Sequence, residues 1–445
     1  MMKQSFLILF ICLFKIQTCG GQIFNSLPPG FNFAVISLYF DSISNILYAG
    51  GNFWQYSNGV DVNYIAQWNG SQWDSLEAGV LGDVFAISKF NGEIYAGGNF
   101  SIFGNVNAKS IAKWNGINWQ AFGNVNNTGS YSTVLHLNVL NNELYVFGNF
   151  DSIGNLLANG IAKYNGQNWF GFPNLDSIGY FNASAWYNGE LYVGGNFDGG
   201  PGLQDIAKFD GNNWVSVGGG LSGPNSSVSD MKIFQNKLCI VGNLLIGQGD
   251  PGNGIATWDG GTWSQAGSGL LPSTVSSLHE FHGELYAGGA ILNAGGVPVT
   301  YIAKWDGTSW YSLGANFDNK AGCFASYNND LYIGGGFLAI NGDTMNYITK
   351  YNFPVGIEEN ESNEKEPEIE ISPNPATNYF EINSNHNSIN KIQLFDISGK
   401  VVMEKQHSGS SNCRIDVAAF GNGIYTVKVI SENTLYIEKL IIQKL

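Results

Sequence analysis

Short apolar runs punctuated by glycine, asparagine and aspartate fill most of this chain, and the runs recur as a set. The phrase Leu47-Tyr48-Ala49-Gly50-Gly51-Asn52-Phe53 returns with starts at Ile94, Leu144, Leu191, Leu238, Leu285 and Leu331, at intervals of 46 to 50 residues. Each repeat reads as an apolar strand, a tight turn, the Leu-Tyr-x-Gly-Gly strand, a longer loop, an Ile-Ala-Lys-Trp strand, a second turn and a Trp-led strand. A unit of this size cannot bury its own apolar face, so neighbouring copies must stack. Four strands per unit with no helical segment predict an all-β fold, a seven-bladed β-propeller. The second turn carries Asn69-Gly70, Asn115-Gly116, Asn165-Gly166, Asp210-Gly211, Asp259-Gly260 and Asp306-Gly307. Such dipeptides supply the positive φ values that a two-residue hairpin turn requires.

Tryptophan falls at two positions of the repeat. Trp68, Trp114, Trp258 and Trp305 occupy the third strand, where Tyr164, Phe209 and Tyr351 substitute; Trp73, Trp119, Trp169, Trp214, Trp263 and Trp310 open the fourth. An aromatic at one position per unit is what packing between sheets needs. The seventh unit lacks its Trp-led strand, but Phe24-Asn25-Ser26-Leu27 near the start has the pattern of Trp73-Asp74-Ser75-Leu76. The N-terminal strand is therefore expected to complete the last blade and close the ring, removing two open sheet edges.

Composition narrows the partners. Only 12% of the 445 residues are charged and 59 are Gly, which suits a turn-rich β architecture. The net charge of -15 argues against nucleic acid and against an anionic membrane surface, both of which reward Lys and Arg. Residues 1–21, with Lys3 ahead of an apolar stretch from Phe6 to Phe14 and small residues before Gln22, read as a signal peptide, with lipoprotein processing at Cys19 as the alternative. No later run is long and apolar enough for a transmembrane helix. Cys239, Cys323 and Cys413 are too scattered for a disulfide framework or a metal cluster, and Cys239 takes the Tyr slot of the repeat as a core side chain.

Residues 22–353 resemble Kelch-type propellers in strand order and in the Gly-Gly doublet. They are more similar still to the propeller repeats of fungal cortical polarity-marker proteins and of bacterial secreted proteins. That resemblance implies a fold and no catalytic residues. Residues 354–370 form an acidic linker, with seven Glu between Glu358 and Glu370. In 371–445, alternating strands predict a small Ig-like β-sandwich. This segment resembles the C-terminal sorting domain, type A, of the type IX secretion system. The resemblance rests on Pro373-Asn374-Pro375, on Leu394 to Lys400 with Asp396 and Gly399, on Gly423-Ile424-Tyr425, and on the finish at Lys439-Leu440-Ile441-Ile442. It implies partners in the type IX secretion machinery and its sortase, with transit through the periplasm and secretion or attachment at the outer surface of a Gram-negative bacterium. Asp-Ser-Ile at Asp41, Asp151 and Asp176 resembles the O-glycosylation sites of bacteria using that route.

Candidate chemistry is sparse. Tight turns fall on one face of the ring and the longer loops on the other, where binding residues are expected; Trp54 and Tyr56 stand there as candidates for stacking on a sugar or peptide. Aligned blades put His136, Asp230, Lys232, His279 and Cys323 on the strands lining a central channel. His279 and His282 lie three apart on a strand, where side chains face opposite sides, so they predict no metal site. Neither a nucleophile elbow nor a phosphate loop nor a dinucleotide fingerprint is present in a fitting context, and no cofactor is implied. The expected function is an exported, non-enzymatic binding or adhesion propeller with a glycan or protein ligand. The alternative is a polysaccharide hydrolase or lyase whose acids converge at the channel mouth.

Overall fold

The computed structural model describes residues 24–352 and 369–444, apart from short stretches at 78, 104–107, 129–130, 174–177, 222, 246–249, 273, 328–329, 385–388, 397–400, 408–409 and 432–434. The signal peptide at 1–21, most of the acidic linker, Asp176, Gly399 and Lys400 lie outside the described residues. The chain divides into two compact units, Met1–Phe353 and Pro354–Leu445. Both are built from antiparallel sheets, with no helix among the described residues.

In the first unit every repeat becomes a four-stranded antiparallel sheet in simple up-and-down order. The first consists of Val35–Asp41, Ile46–Gly51, Ile65–Trp68 and Trp73–Ser75. Equivalent sheets begin at Val80, Thr133, Ile178, Ser227, Thr274 and Ala321; those beginning at Ser227 and Thr274 join into one eight-stranded sheet through the single pair Asn243–Thr274. The last sheet takes its fourth strand from the start of the chain. Phe24 pairs with Tyr351, Asn25 with Lys350 and Ser26 with Thr349, and the Thr349 hydroxyl donates to the Asn25 carbonyl at 3.0 Å. The first strands of successive sheets touch in chain order, and that of the last sheet, Ala321–Tyr327, touches Val35–Asp41 of the first.

The Gly-Gly doublet has a separate reason at each of its two positions. Every first strand carries a β-bulge, at Ile36, Phe85, Leu135, Asn182, Ser229, Ser276 and Gly322. The second glycine lies across from that bulge: a Cβ on Gly98 would overlap the Asp83 carbonyl, and one on Gly51 the Ala34 carbonyl. The first glycine lets the next sheet approach, since a Cβ on Gly50 would overlap Val84 and one on Gly97 would overlap Val134.

Turn chemistry differs from the expectation in one respect. Between third and fourth strands only the glycine takes a positive φ (Gly70 at 100°, Gly211 at 103°); the preceding Asn or Asp does not. That residue acts through its side chain. Asn69 Oδ1 accepts the backbone N–H of Ser71 and Gln72, both at 3.0 Å, and Asp210 Oδ1 those of Asn212 and Asn213, both at 2.8 Å. The turns with positive φ at both central residues join first and second strands, as at Asn91 and Gly92 or Asn188 and Gly189.

Aromatic pairs tie third strand to fourth and sheet to sheet. Trp68 and Trp73 stand 5.4 Å apart, Trp114 and Trp119 5.3 Å, and Trp305 and Trp310 5.1 Å. In the closing sheet Phe24 and Tyr351 repeat the pair at 5.0 Å. The fourth-strand indole also reaches the preceding sheet, Nε1–H donating to a carbonyl there: Trp73 to Leu27 at 3.1 Å, Trp119 to Leu76 at 3.2 Å, Trp263 to Val217 at 3.2 Å and Trp310 to Ala266 at 3.0 Å. Third-strand lysines pair with the acid heading the second strand, as in Lys113–Glu93 at 3.0 Å and Lys163–Glu143 at 2.8 Å. These pairs are partly exposed and add little stability individually.

The C-terminal unit consists of a three-stranded sheet (Ile369–Ser372, Tyr379–Ser384, Asn412–Asp416) and a four-stranded one (Val401–Gln406, Ile389–Phe395, Gly423–Ser431, Leu435–Ile442). One apolar cluster draws on both, including Phe380, Ile382, Leu394, Ile415 and Val427.

Phe24 is 6% exposed and anchors the closing strand, so Phe24→Ala is expected to cost about 3 kcal/mol, the usual range for emptying a buried aromatic site. Denaturant titration checks this. Trp119→Phe, which keeps an aromatic six-membered ring but loses the pyrrole half of the indole and its hydrogen bond to Leu76, should cost about 1 kcal/mol plus the volume lost.

Candidate functional site

All seven bulged residues line a channel of about 480 Å³, together with His136, Asp230, Lys232, His279 and Cys323. Most of these polar groups are engaged with the adjacent sheet. His136 Nε2 lies 3.1 Å from Ser184 Oγ, and His279 Nε2 lies 2.8 Å from Ser326 Oγ. Asp230 accepts the N–H of Met231 at 2.8 Å and of Leu278 at 2.9 Å, one bond to each carboxylate oxygen. Cys323 Sγ contacts the Val35 carbonyl at 3.6 Å, across the junction of the last sheet and the first. Lys232 alone of the set has no hydrogen-bond or ion-pair partner among the described residues.

The electrostatics follow from this enclosure. Burial, with a smaller contribution from the Lys232 ammonium, holds both imidazoles neutral down to about 3. Burial also raises the Asp230 carboxyl, against the opposing pull of Lys232 and the two backbone N–H groups. Asp230 is the one carboxylate among the channel-lining residues. His282 takes φ 51° in the turn after its strand, while His279 turns to Ser326.

At the loop face the two candidate aromatics part company. Tyr56 is buried, 8% exposed, and stacks on Phe31 at 5.9 Å. Its hydroxyl has no hydrogen-bond partner among the described residues, and burial pushes its pKa up to about 12, with a smaller contribution from Asp74. It is a core side chain and is unavailable for stacking on a ligand. Trp54 is 46% exposed, and the sequence reading missed its neighbours. Phe33, 49% exposed, lies 6.2 Å from Trp54 with the ring planes 31° apart. Tyr347, partly buried, lies 6.2 Å from Phe33 with the ring planes 24° apart. Phe33 comes from the segment after the closing strand, Trp54 from the loop after Ile46–Gly51, and Tyr347 from the lead into Ile348–Asn352. No sequence spacing joins them; the signal available was that Phe33 and Trp54 break the repeat, where Ser101, Asp151 and Asp198 stand at the position of Trp54.

This surface is held from beneath. Asn32 Oδ1 accepts the N–H of Trp54 and of Gln55, both at 3.2 Å, and Asn32 donates its own N–H to the Gln55 carbonyl at 3.0 Å. The Trp54 carbonyl accepts Val62 and Asn63 N–H. Leu338, 48% exposed, donates its N–H to Asp318 Oδ1 at 2.9 Å. The Tyr347 phenol is raised by burial and by the nearby Asp318 charge.

In the C-terminal unit Asn374 Oδ1 accepts the Ile441 N–H at 2.9 Å, and Ala376 pairs with Ile442. The Pro373-Asn374-Pro375 element is thereby sewn to the final strand. Gly423 pairs with Ile442, Lys439 with Thr426, and the Tyr425 hydroxyl donates to the Gly421 carbonyl at 3.1 Å. Of the sorting elements, the front, the Gly423-Ile424-Tyr425 strand and the finish share one neighbourhood, and Asp396 directly follows the strand Ile389–Phe395 that pairs with Gly423–Ser431.

The family described as a secretion system C-terminal sorting domain matches residues 370–443. The tail is a type IX secretion sorting domain, and the chain bearing it is an all-β protein exported to the cell surface, where such proteins are attached or released. Among solved structures the chain is similar to one described as the extracellular domain of a hybrid two component system from B. thetaiotaomicron, at 14% identity and a TM-score of 0.32. The match covers 91% of this chain and 61% of that chain, so this chain spans less than two thirds of its length. A search of the curated proteins found no match.

The two neutral histidines set a pH dependence. An unfolded imidazole titrates near 6.5 while these stay neutral to about 3. Between those values the unfolded chain binds more protons, so the histidines make folding less favourable as pH falls. Asp230, raised by burial, acts oppositely, weakening the fold as pH rises through its titration. The variant combining His136→Gln and His279→Gln should lose less stability than the parent between about pH 7 and about pH 4.5, measured by urea denaturation at both.

Proposed function

We propose that residues 22–353 form a seven-bladed β-propeller serving as a non-enzymatic binding or adhesion module. A signal peptide at 1–21 starts its export, and a linker at 354–370 joins it to an Ig-like sorting domain at 371–445. The cyclic contact of the seven first strands and the closing pair Phe24–Tyr351 support the ring. The binding reading rests on one observation: Phe33 and Trp54 form an exposed aromatic pair, backed by the partly buried Tyr347, on a hydrogen-bonded backbone on the face that carries the longer loops. Exposed apolar clusters in an exported protein mark interaction sites. A hydrolase reading calls for paired carboxylates, whereas the channel lining offers Asp230, already hydrogen-bonded through both oxygens.

Purified full-length protein on arrays of immobilised glycans and proteins should bind saturably to at least one ligand, and the double variant Phe33→Ala with Trp54→Ala should lose that binding. Failure to bind anything, or binding that survives the double variant, overturns the proposal. Deleting 371–445 should leave the remainder in the periplasm; cell fractionation with an antibody to the N-terminal unit reads the outcome.

A further inference from the structure

We propose that the Trp54–Phe33–Tyr347 surface is a docking platform for a neutral oligosaccharide, an inference that rests on the binding-module reading and names its ligand class. Phe33 lies 6.2 Å from each of the other two rings, its plane 31° from that of Trp54 and 24° from that of Tyr347, so the three form one aromatic cluster centred on Phe33. About half of Phe33 and of Trp54 is open to water although Phe31, Phe53 and Tyr56, from the same stretches of chain, stack together and are buried. Aromatic groups recruited only for packing follow the second pattern.

The surroundings select among ligands that stack. Asp318 supplies a carboxylate and Tyr347 a phenol, groups that exchange hydrogen bonds with hydroxyls. A pyranose ring offers both halves of the match, a C–H face for the π surface and a rim of hydroxyls for the polar groups. Nucleic acid would stack equally well but needs cationic tracking of its phosphates, and the chain carries 35 acids against 20 Lys and Arg. A polyanionic glycan meets the same repulsion. A protein partner draws its affinity from anchors sunk in desolvated pockets, whereas Phe33 and Trp54 lie about half open to water.

The rigidity of the platform supports the same conclusion. Asn32 ties the Trp54 loop to the Phe33 segment through three hydrogen bonds, and the Tyr347 N–H is held by the Phe337 carbonyl at 2.9 Å. A preformed surface spends no binding energy on ordering itself, which matters for a weakly held, hydrated ligand.

The test is isothermal titration of the full-length protein with neutral gluco-, manno- and xylo-hexasaccharides, beside polygalacturonate as the anionic comparison. At least one neutral hexasaccharide should bind saturably, with Kd raised about tenfold or more by Trp54→Ala and by Phe33→Ala and by a smaller factor by Asp318→Asn. Both aromatic variants change exposed side chains; near-ultraviolet circular dichroism and the denaturation midpoint verify that they fold. If no neutral saccharide binds while a protein ligand from the array is lost in the same variants, the saccharide inference falls and the binding module stands. Preference for polygalacturonate likewise overturns it. If nothing of either class binds, both fall together.

Discussion

Three residue pairs, Phe24 with Tyr351, Asn25 with Lys350 and Ser26 with Thr349, hold the start of the N-terminal unit against its end, and much else depends on that contact. Without it the last sheet would keep three strands and an open edge, and the first sheet would lose the neighbour against which Val35 packs beside Gly334. The contact is more than backbone pairing. Phe24 takes the place that tryptophan holds in the other sheets and repeats their ring contact. The segment leaving the closing strand then carries Phe31 into the core and Phe33 to the surface. The aromatic platform consequently sits on the seam, drawing Phe33 and Trp54 from one end of the unit and Tyr347 from the other.

The inner strands show how a repeat converts polar residues into structure. A bulge at the same place in every first strand breaks the ladder, and His136 and Asp230, each next to such a bulge, bond to the adjacent sheet. Positions that look available for ligands are used there as hydrogen-bonding links: His136 to Ser184, Asp230 to Leu278, His279 to Ser326. Neutral imidazoles suit this task, because a charged ring enclosed by protein would need a counter-charge, and the nearest charged group named with them is the cationic Lys232. The channel is accordingly a wall first; Lys232 remains its one uncommitted polar side chain among those discussed.

Much of this was legible in the residues themselves. Strand number per unit, turn positions, the incomplete final sheet and the strand that completes it follow from local chemistry written many times over, since each copy checks the others. The sorting tail was legible for the same reason, as several motifs in fixed order. Less legible was the division of labour within motifs. Asn69 and Asp210 look like residues chosen for positive φ, yet they act by accepting backbone N–H groups, a choice that depends on how the turn closes. Tyr56 and Trp54, two residues apart, look equivalent, yet Phe31 covers one and nothing in the described structure covers the other to the same degree.

The sequence by itself determined what repeats: the period, the strand order, the glycine doublet, the tryptophan positions and the export tail. These are set by backbone geometry and by burial requirements that recur identically in each copy, so they can be read from one dimension. Only the tertiary structure decided what happens once: which polar groups of the inner strands face a neighbour, which aromatic of a loop stays in water, and that Phe33 meets Tyr347 from the far end of the unit. Such contacts arise from proximity across the closure, and proximity between distant segments leaves no periodic trace in a chain.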